Sequence, residues 1–212
     1  MTTITDVVDA LRFGGAMVWP LLVLAVIAFA IIVDKLFVYR TRTHLPDALV
    51  ELVETYGFRW EDVEKRIATL GPRNYVGAFL HVIVTNRTHP AWWVESRASD
   101  EASLLEKSLG RWLWVLDTVV TAAPLLGLLG TIIGMVQAFK LFGASGLVDP
   151  GGVTGGVAQA LIATALGLCV AVVSLFAYNF FSDRQAKLMD EMERLGTRLV
   201  DRIRLDTNEA RS

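Results

Sequence analysis

A chain of 212 residues, 53% apolar and with positive mean hydropathy, is sized for one membrane domain carrying polar appendages. Its formal charge of -2 lacks the basic excess of a nucleic-acid binder. One cysteine, Cys169, excludes an internal disulfide framework, and no spacing of His, Cys or acids suggests a metal or another cofactor.

In residues 1–15, Val7, Val8 and Leu11 recur at near-helical spacing beside Asp6, Asp9 and Arg12. This predicts a short amphipathic helix on the membrane surface. The apolar run 16–33, closed by Asp34, Lys35, Arg40 and Arg42, predicts a first membrane helix over 16–37. Pro20 bends it or sits in its first turn. A signal peptide is the competing reading. The acidic residues before the run, its length and the absence of a small-residue cleavage site all argue against it.

Residues 38–115 nearly balance acids and bases. Leu49, Leu52, Val53 and Tyr56 have helical spacing, as do Val63, Arg66, Ile67 and Leu70. Gly71-Pro72 and His89-Pro90 are breaks around a helix at 75–84. A further helix from about Ala91 is expected to run unbroken into the second span. The segment reads as a helical domain of three or four helices. Trp112 and Trp114 suit interfacial anchors, and Trp92 and Trp93 suit either anchors or core.

Two more apolar segments, 116–141 and 157–181, each supply the roughly 20 residues that a ~30 Å hydrocarbon layer requires. The Gly-rich stretch 142–156 between them reads as an outer turn. It has no phosphate-binding context, lacking both GK[ST] and a preceding strand. In residues 182–212, Leu188, Met192, Leu195, Leu199 and Ile203 form a seam at steps of three and four, so the third span is expected to continue as a long helix.

The chemistry of the two later spans lies in their small residues. Ala123, Gly127, Gly130, Thr131, Gly134 and Ala138 share one helical face, and Ala160, Ala163, Thr164, Gly167, Ala171 and Ser174 share another. Such stripes let backbones approach closely in lipid, where packing must replace the hydrophobic drive. Two uses are open to Thr131 and Thr164. Each hydroxyl can bond a carbonyl one turn back in its own helix, or line a polar path between subunits.

Every carboxylate lies outside the spans or at their edges, as Asp34 and Asp117 do. Thr, Ser and Gln can hydrogen-bond water but cannot take up and release a proton near neutral pH. A proton path would therefore need a titrating group from a partner. An intramembrane hydrolase is disfavoured, because His44, His81 and His89 all lie in the loop and no acid pair sits within the spans. A non-conducting helical scaffold remains open. Lys and Arg concentrate in the loop and the tail, which predicts an outward-facing N-terminus and a cytoplasmic C-terminus.

The stretches APLLGLLGTIIGMVQAF and GGVAQALIATALGLCVAV, with three spans and one large loop, resemble the ExbB/TolQ/MotA proton-channel family. The ExbB and TolQ branches are nearer than MotA, which has four spans. The resemblance implies an all-α inner-membrane homopentamer enclosing two copies of an ExbD-like or TolR-like single-span partner with a membrane Asp. It also implies coupling of proton-motive force to a TonB-like transducer, or to envelope integrity in the TolQ case. The family's pore threonines correspond to Thr131 and Thr164. Gln159, in A-Q-A-L, stands where an enteric-type ExbB has Glu, and Val172-Val173 replaces a usual Pro. The expected packing residues are Gly127, Gly130, Gly134, Ala160, Gly167 and Ala171; the expected pore residues are Thr131, Thr164 and Gln159.

Overall fold

The computed structural model describes residues 15–55, 57–71, 73–140 and 150–209. The amphipathic helix expected before residue 15 lies outside them. Among the described residues every regular element is α-helical: α1 Val18–Arg42, α2 Asp47–Glu54, α3 Trp60–Thr69, α4 Tyr75–Thr85, α5 Ala91–Leu109, α6 Leu113–Lys140 and α7 Pro150–Glu209. Three stretches are long and apolar enough to cross a bilayer, so this is an all-α membrane protein. The chain divides into two compact units. One comprises residues up to Val33 with Trp112–Phe180, and the other Asp34–Arg111 with Phe181–Ser212.

In the first unit, α1 buries Val18, Leu21, Ala28 and Ile31, one face of the helix at steps of three, seven and three. Its opposite surface stays exposed through Val26, Phe29 and Val33, as a lipid-facing surface would. Pro20 is the third residue of α1, where a missing N–H costs no helical bond. Two boundaries differ from expectation. The third membrane helix begins at Pro150 rather than 157, so Gly151, Gly152, Gly155 and Gly156 are helical. Pro suits a first helical position, and Gly156 earns its place by contact, since a Cβ there would lie 2.9 Å from that of Ala138.

The helix expected to run unbroken from Ala91 into the second span is instead interrupted between Leu109 and Leu113. Gly110 closes α5, its N–H reaching the carbonyl of Glu106 at 2.8 Å. Trp112 then takes φ 69°, a left-handed conformation costly for a bulky L-residue. In the second unit, Lys35 is only 2% exposed, and its Nζ donates to the carbonyl of Leu109 at 2.6 Å. A cation on the last carbonyls of a helix satisfies an orphan acceptor and complements the helix dipole.

The core of the second unit joins α2 to α5 with the far end of α7. Leu49, Val63, Leu80, Ile83 and Val94 pack with Met192, Leu195, Leu199 and Ile203 of the seam. Trp93 lies against this core, stacked on His89 at 4.6 Å, whereas Trp92 is exposed. Trp60 donates its indole N–H to Asp206 at 2.8 Å. Asn74 does two jobs at once. Its Oδ1 accepts from the N–H of Gly77 at 2.9 Å, capping α4, and its Nδ2 donates to the carbonyl of His44 at 2.8 Å. Asn74→Ala should therefore destabilise this unit by about 2–3 kcal/mol, combining a lost cap with a lost buried hydrogen bond. Thermal unfolding followed by helical circular dichroism reads this; a change under about 0.5 kcal/mol would deny the cap its role.

Candidate membrane site

The two small-residue stripes meet each other inside one chain. Because α6 and α7 run antiparallel, contacts pair early positions of one with late positions of the other. A Cβ on Gly167 would lie 2.5 Å from the carbonyl oxygen of Ala123, and one on Gly127 would lie 3.0 Å from the Cα of Thr164. A Cβ on Gly130 would meet the Cβ of Ala163 at 2.7 Å, and one on Gly134 the Cβ of Ala160 at 2.8 Å. Ala123, Ala138, Ala160, Ala163 and Ala171 are buried along this seam. Its helices therefore touch backbone to backbone, and the larger side chains Leu125, Leu128, Ile132 and Phe139 of α6 and Leu161, Leu168, Val173 and Phe176 of α7 are left outside.

The two threonines part company here. Thr131 follows the local alternative: its hydroxyl donates to the carbonyl of Leu128 at 2.6 Å, within its own helix. Thr164 does not bond its own helix. Its hydroxyl donates across the seam to the carbonyl of Gly127 at 2.9 Å. That contact is possible only because Gly127 has no side chain, which brings its backbone against Thr164. Ser174, fully buried, bonds back to Val170 at 2.8 Å.

Both threonine protons are thus committed to carbonyls, and each Oγ presents only lone pairs to whatever approaches it. A group meeting either oxygen is favoured if it donates: water, or a protonated carboxyl. A carboxylate gains nothing from them directly.

Gln159 is placed elsewhere. A Cβ built on Gly15 would fall 2.1 Å from its Nε2, so its amide lies directly against the chain just before α1. Gly15 has φ 75°, a conformation glycine adopts at no steric cost, and its bare Cα is what admits the amide. Of the three pore residues expected from the sequence, only Thr164 lies in the α6–α7 seam through its own hydroxyl.

One contributor was not singled out from the sequence. Pro124 lies inside α6 and withholds the N–H that the carbonyl of Val120 would otherwise accept. Its neighbour Ala123 supplies the carbonyl that Gly167 approaches. A proline within an apolar run next to a GxxxG step was the available signal. Among the described residues, no three His, Cys, Asp or Glu side chains converge as a metal site.

Comparison with known proteins places these features in company. The family model described as the MotA/TolQ/ExbB proton channel family matches residues 62–194. The biopolymer transport protein ExbB of Aquifex aeolicus is 44% identical over 87 residues, spanning 41% of this chain and 59% of that protein. ExbB of Helicobacter pylori is 34% identical over 118 residues, 50% of this chain and 81% of that protein. A Synechocystis protein described as ExbB-like 3 is 28% identical over 187 residues, covering 84% of this chain and 87% of its own length.

Proposed function

Because the chain belongs to the MotA/TolQ/ExbB proton channel family, we propose that it is a proton-motive-force-driven motor subunit of the ExbB type. With an ExbD-like single-span partner it would energise a TonB-like transducer for active transport across an outer membrane. The observation that carries this reading is the α6–α7 seam: closely packed, free of titratable groups, and holding Thr164 with its proton already donated to Gly127. Such a seam is rigid enough to act as a stator wall and polar at one point. It has no acid of its own to load with a proton.

The division of labour follows from that chemistry. The partner brings an Asp in its membrane helix, and this chain brings oxygens that accept from it. Thr164 stabilises the protonated acid more than the carboxylate, because only the former has a proton to give. Loading the acid thus changes which wall of the assembly it prefers. Thr131 adds a second acceptor of the same kind, and Gln159 a polar contact near the start of α1. The glycines and alanines (Gly127, Gly130, Gly134, Ala160, Gly167, Ala171) hold the wall together.

The assembly implied is a homopentamer around two partner copies in an inner membrane. The N-terminus faces the periplasm, and the helical domain and tail face the cytoplasm. Charge supports that orientation, since nearly all Lys and Arg flank the spans on the loop and tail side. The ExbB branch is preferred to TolQ because the named relatives are ExbB proteins.

The test is co-expression with candidate single-span partners, purification from membranes and native mass spectrometry. Five copies of this chain retaining two copies of an Asp-bearing partner are expected. A stable assembly that binds no such partner would remove the source of the titrating group and leave a scaffold. Proton flux from this chain alone in liposomes, equal to that of the pair, would overturn the division of labour.

A further inference from the structure

The second unit contains a recess of about 440 Å³ whose rim is cationic. Tyr39, Arg40, Thr43 and His44 from the end of α1 and the turn after it form one wall. Arg184 and Lys187 of α7 form the other. We propose that this recess binds a phosphate-bearing anion, namely the headgroup of an anionic phospholipid.

The walls are held in place without a ligand. The Tyr39 hydroxyl donates to the carbonyl of Phe181 at 3.4 Å, and the two rings stack at 5.6 Å. Thr43 donates to the carbonyl of Tyr39 at 2.6 Å, and the carbonyl of His44 is fixed by Asn74. The acids are already engaged: Glu191, which also lines the recess, accepts from Arg194 at 2.7 Å, and Asp183 beside it pairs with Lys187 at 2.7 Å. Among the described residues Arg40 forms no ion pair, and its side chain is exposed at the rim. An excess of positive charge from the Arg40 and Arg184 guanidinium groups, beside the His44 ring, suits phosphate oxygens.

Position favours a lipid over a soluble phosphate as the source. Arg40 lies three residues beyond Phe37, the end of the expected first span, and Arg184 lies three beyond Phe181, the end of the expected third. At about 1.5 Å of rise per residue, both guanidinium groups reach the headgroup layer and not the acyl region. Leu36 and Phe37, one turn back on α1, are 51% and 61% exposed and offer apolar surface to an acyl chain.

The experiment uses the full chain purified in detergent in its native assembly, with dioleoylphosphatidylglycerol, dioleoylphosphatidylcholine and inorganic phosphate as probes. Native mass spectrometry reads retained lipid, and the melting temperature reads phosphate. Preferential retention of phosphatidylglycerol is expected. Apparent affinity should fall about 25-fold in the Arg40→Gln/Arg184→Gln variant, from roughly fivefold per cationic side chain. Arg97→Gln, a charge loss outside the recess, should change nothing. If the double variant fails to fold, Arg40→Gln alone should lose about fivefold.

Stabilisation by inorganic phosphate that the double variant abolishes, with no lipid retained, supports the phosphate site and assigns it a soluble source. Phosphatidylglycerol held equally by wild type and variant, with phosphate acting on both alike or on neither, overturns the proposal.

Discussion

Gly167→Val should separate α6 from α7 and abolish the assembled protein, whereas Gly155→Ala, one turn into α7, should slightly stabilise it. The contrast is set by what each new side chain meets. At 167 the first added carbon would lie 2.5 Å from the backbone oxygen of Ala123, an atom that cannot rotate away. The helices must move apart, and every downstream contact of the seam loosens with them. Overpacking of this kind costs about 1–3 kcal/mol, and more where backbone resists. In lipid no hydrophobic drive re-forms the pair.

At 155 nothing lies within 4 Å of the added carbon, so only the helical cost of glycine is relieved, a gain of roughly 0.5–1 kcal/mol. Gly134→Ala should fall between them: it adds one carbon where valine adds three, yet that carbon meets the fixed Cβ of Ala160 at 2.8 Å and the carbonyl oxygen of Gly156 at 3.1 Å. Melting temperature and oligomer profile in detergent, measured across the three variants, read the order. Equal effects at 155 and 167 would mean that the seam does not hold the helices together.

That ranking shows what could and could not be read from the residues in order. A period of 3.6 puts Gly127, Gly130, Gly134 and Ala138 on one face whatever the fold, so the stripes and the spans were legible. The pairing was not. Nothing in the sequence says that Gly167 faces the carbonyl of Ala123 and not that of a neighbouring turn. The choice between the two uses of Thr164 depended on that pairing, since donation to Gly127 requires the bare backbone opposite.

The same limit explains the misplaced boundaries. Glycines at 151–156 suggest a turn when their contacts are unknown. Gly156, seated against Ala138 and Gly134, packs as part of a helix that begins at Pro150. The break at Gly110–Trp112 was hidden for another reason. A single glycine in a helical pattern costs only about 1 kcal/mol. The left-handed Trp112 has no sequence signature, and the Lys35 cap comes from 74 residues away.

Thr164→Val should leave the assembly intact and reduce proton flux at least about tenfold when this chain is reconstituted with its single-span partner in liposomes. Valine keeps the shape of threonine, so the seam retains its contacts. The hydrogen bond to Gly127 is lost, but that carbonyl also faces the N–H of residue 131 in the α-helical pattern. Membrane-embedded hydrogen bonds contribute about 0.6 kcal/mol on average and up to about 1.7. The loss of stability should therefore be small against the loss of flux.

A scaffold that merely holds a partner helix would tolerate the change, because it uses the shape of residue 164 and not its oxygen. Thr164→Ser, which restores the oxygen, should recover flux, although Ser gives up the methyl contact. The pH dependence supplies an independent sign. An acceptor beside the partner's carboxyl stabilises the protonated form and raises its apparent pKa. Removing that acceptor should move the midpoint of flux to lower pH. With 1.36 kcal/mol per unit, the same range of hydrogen-bond strengths predicts a shift of about 0.4–1.2 units. A shift to higher pH would mean that the residue stabilises the carboxylate, and so that its hydroxyl leaves Gly127 to donate to the acid when the partner is in place.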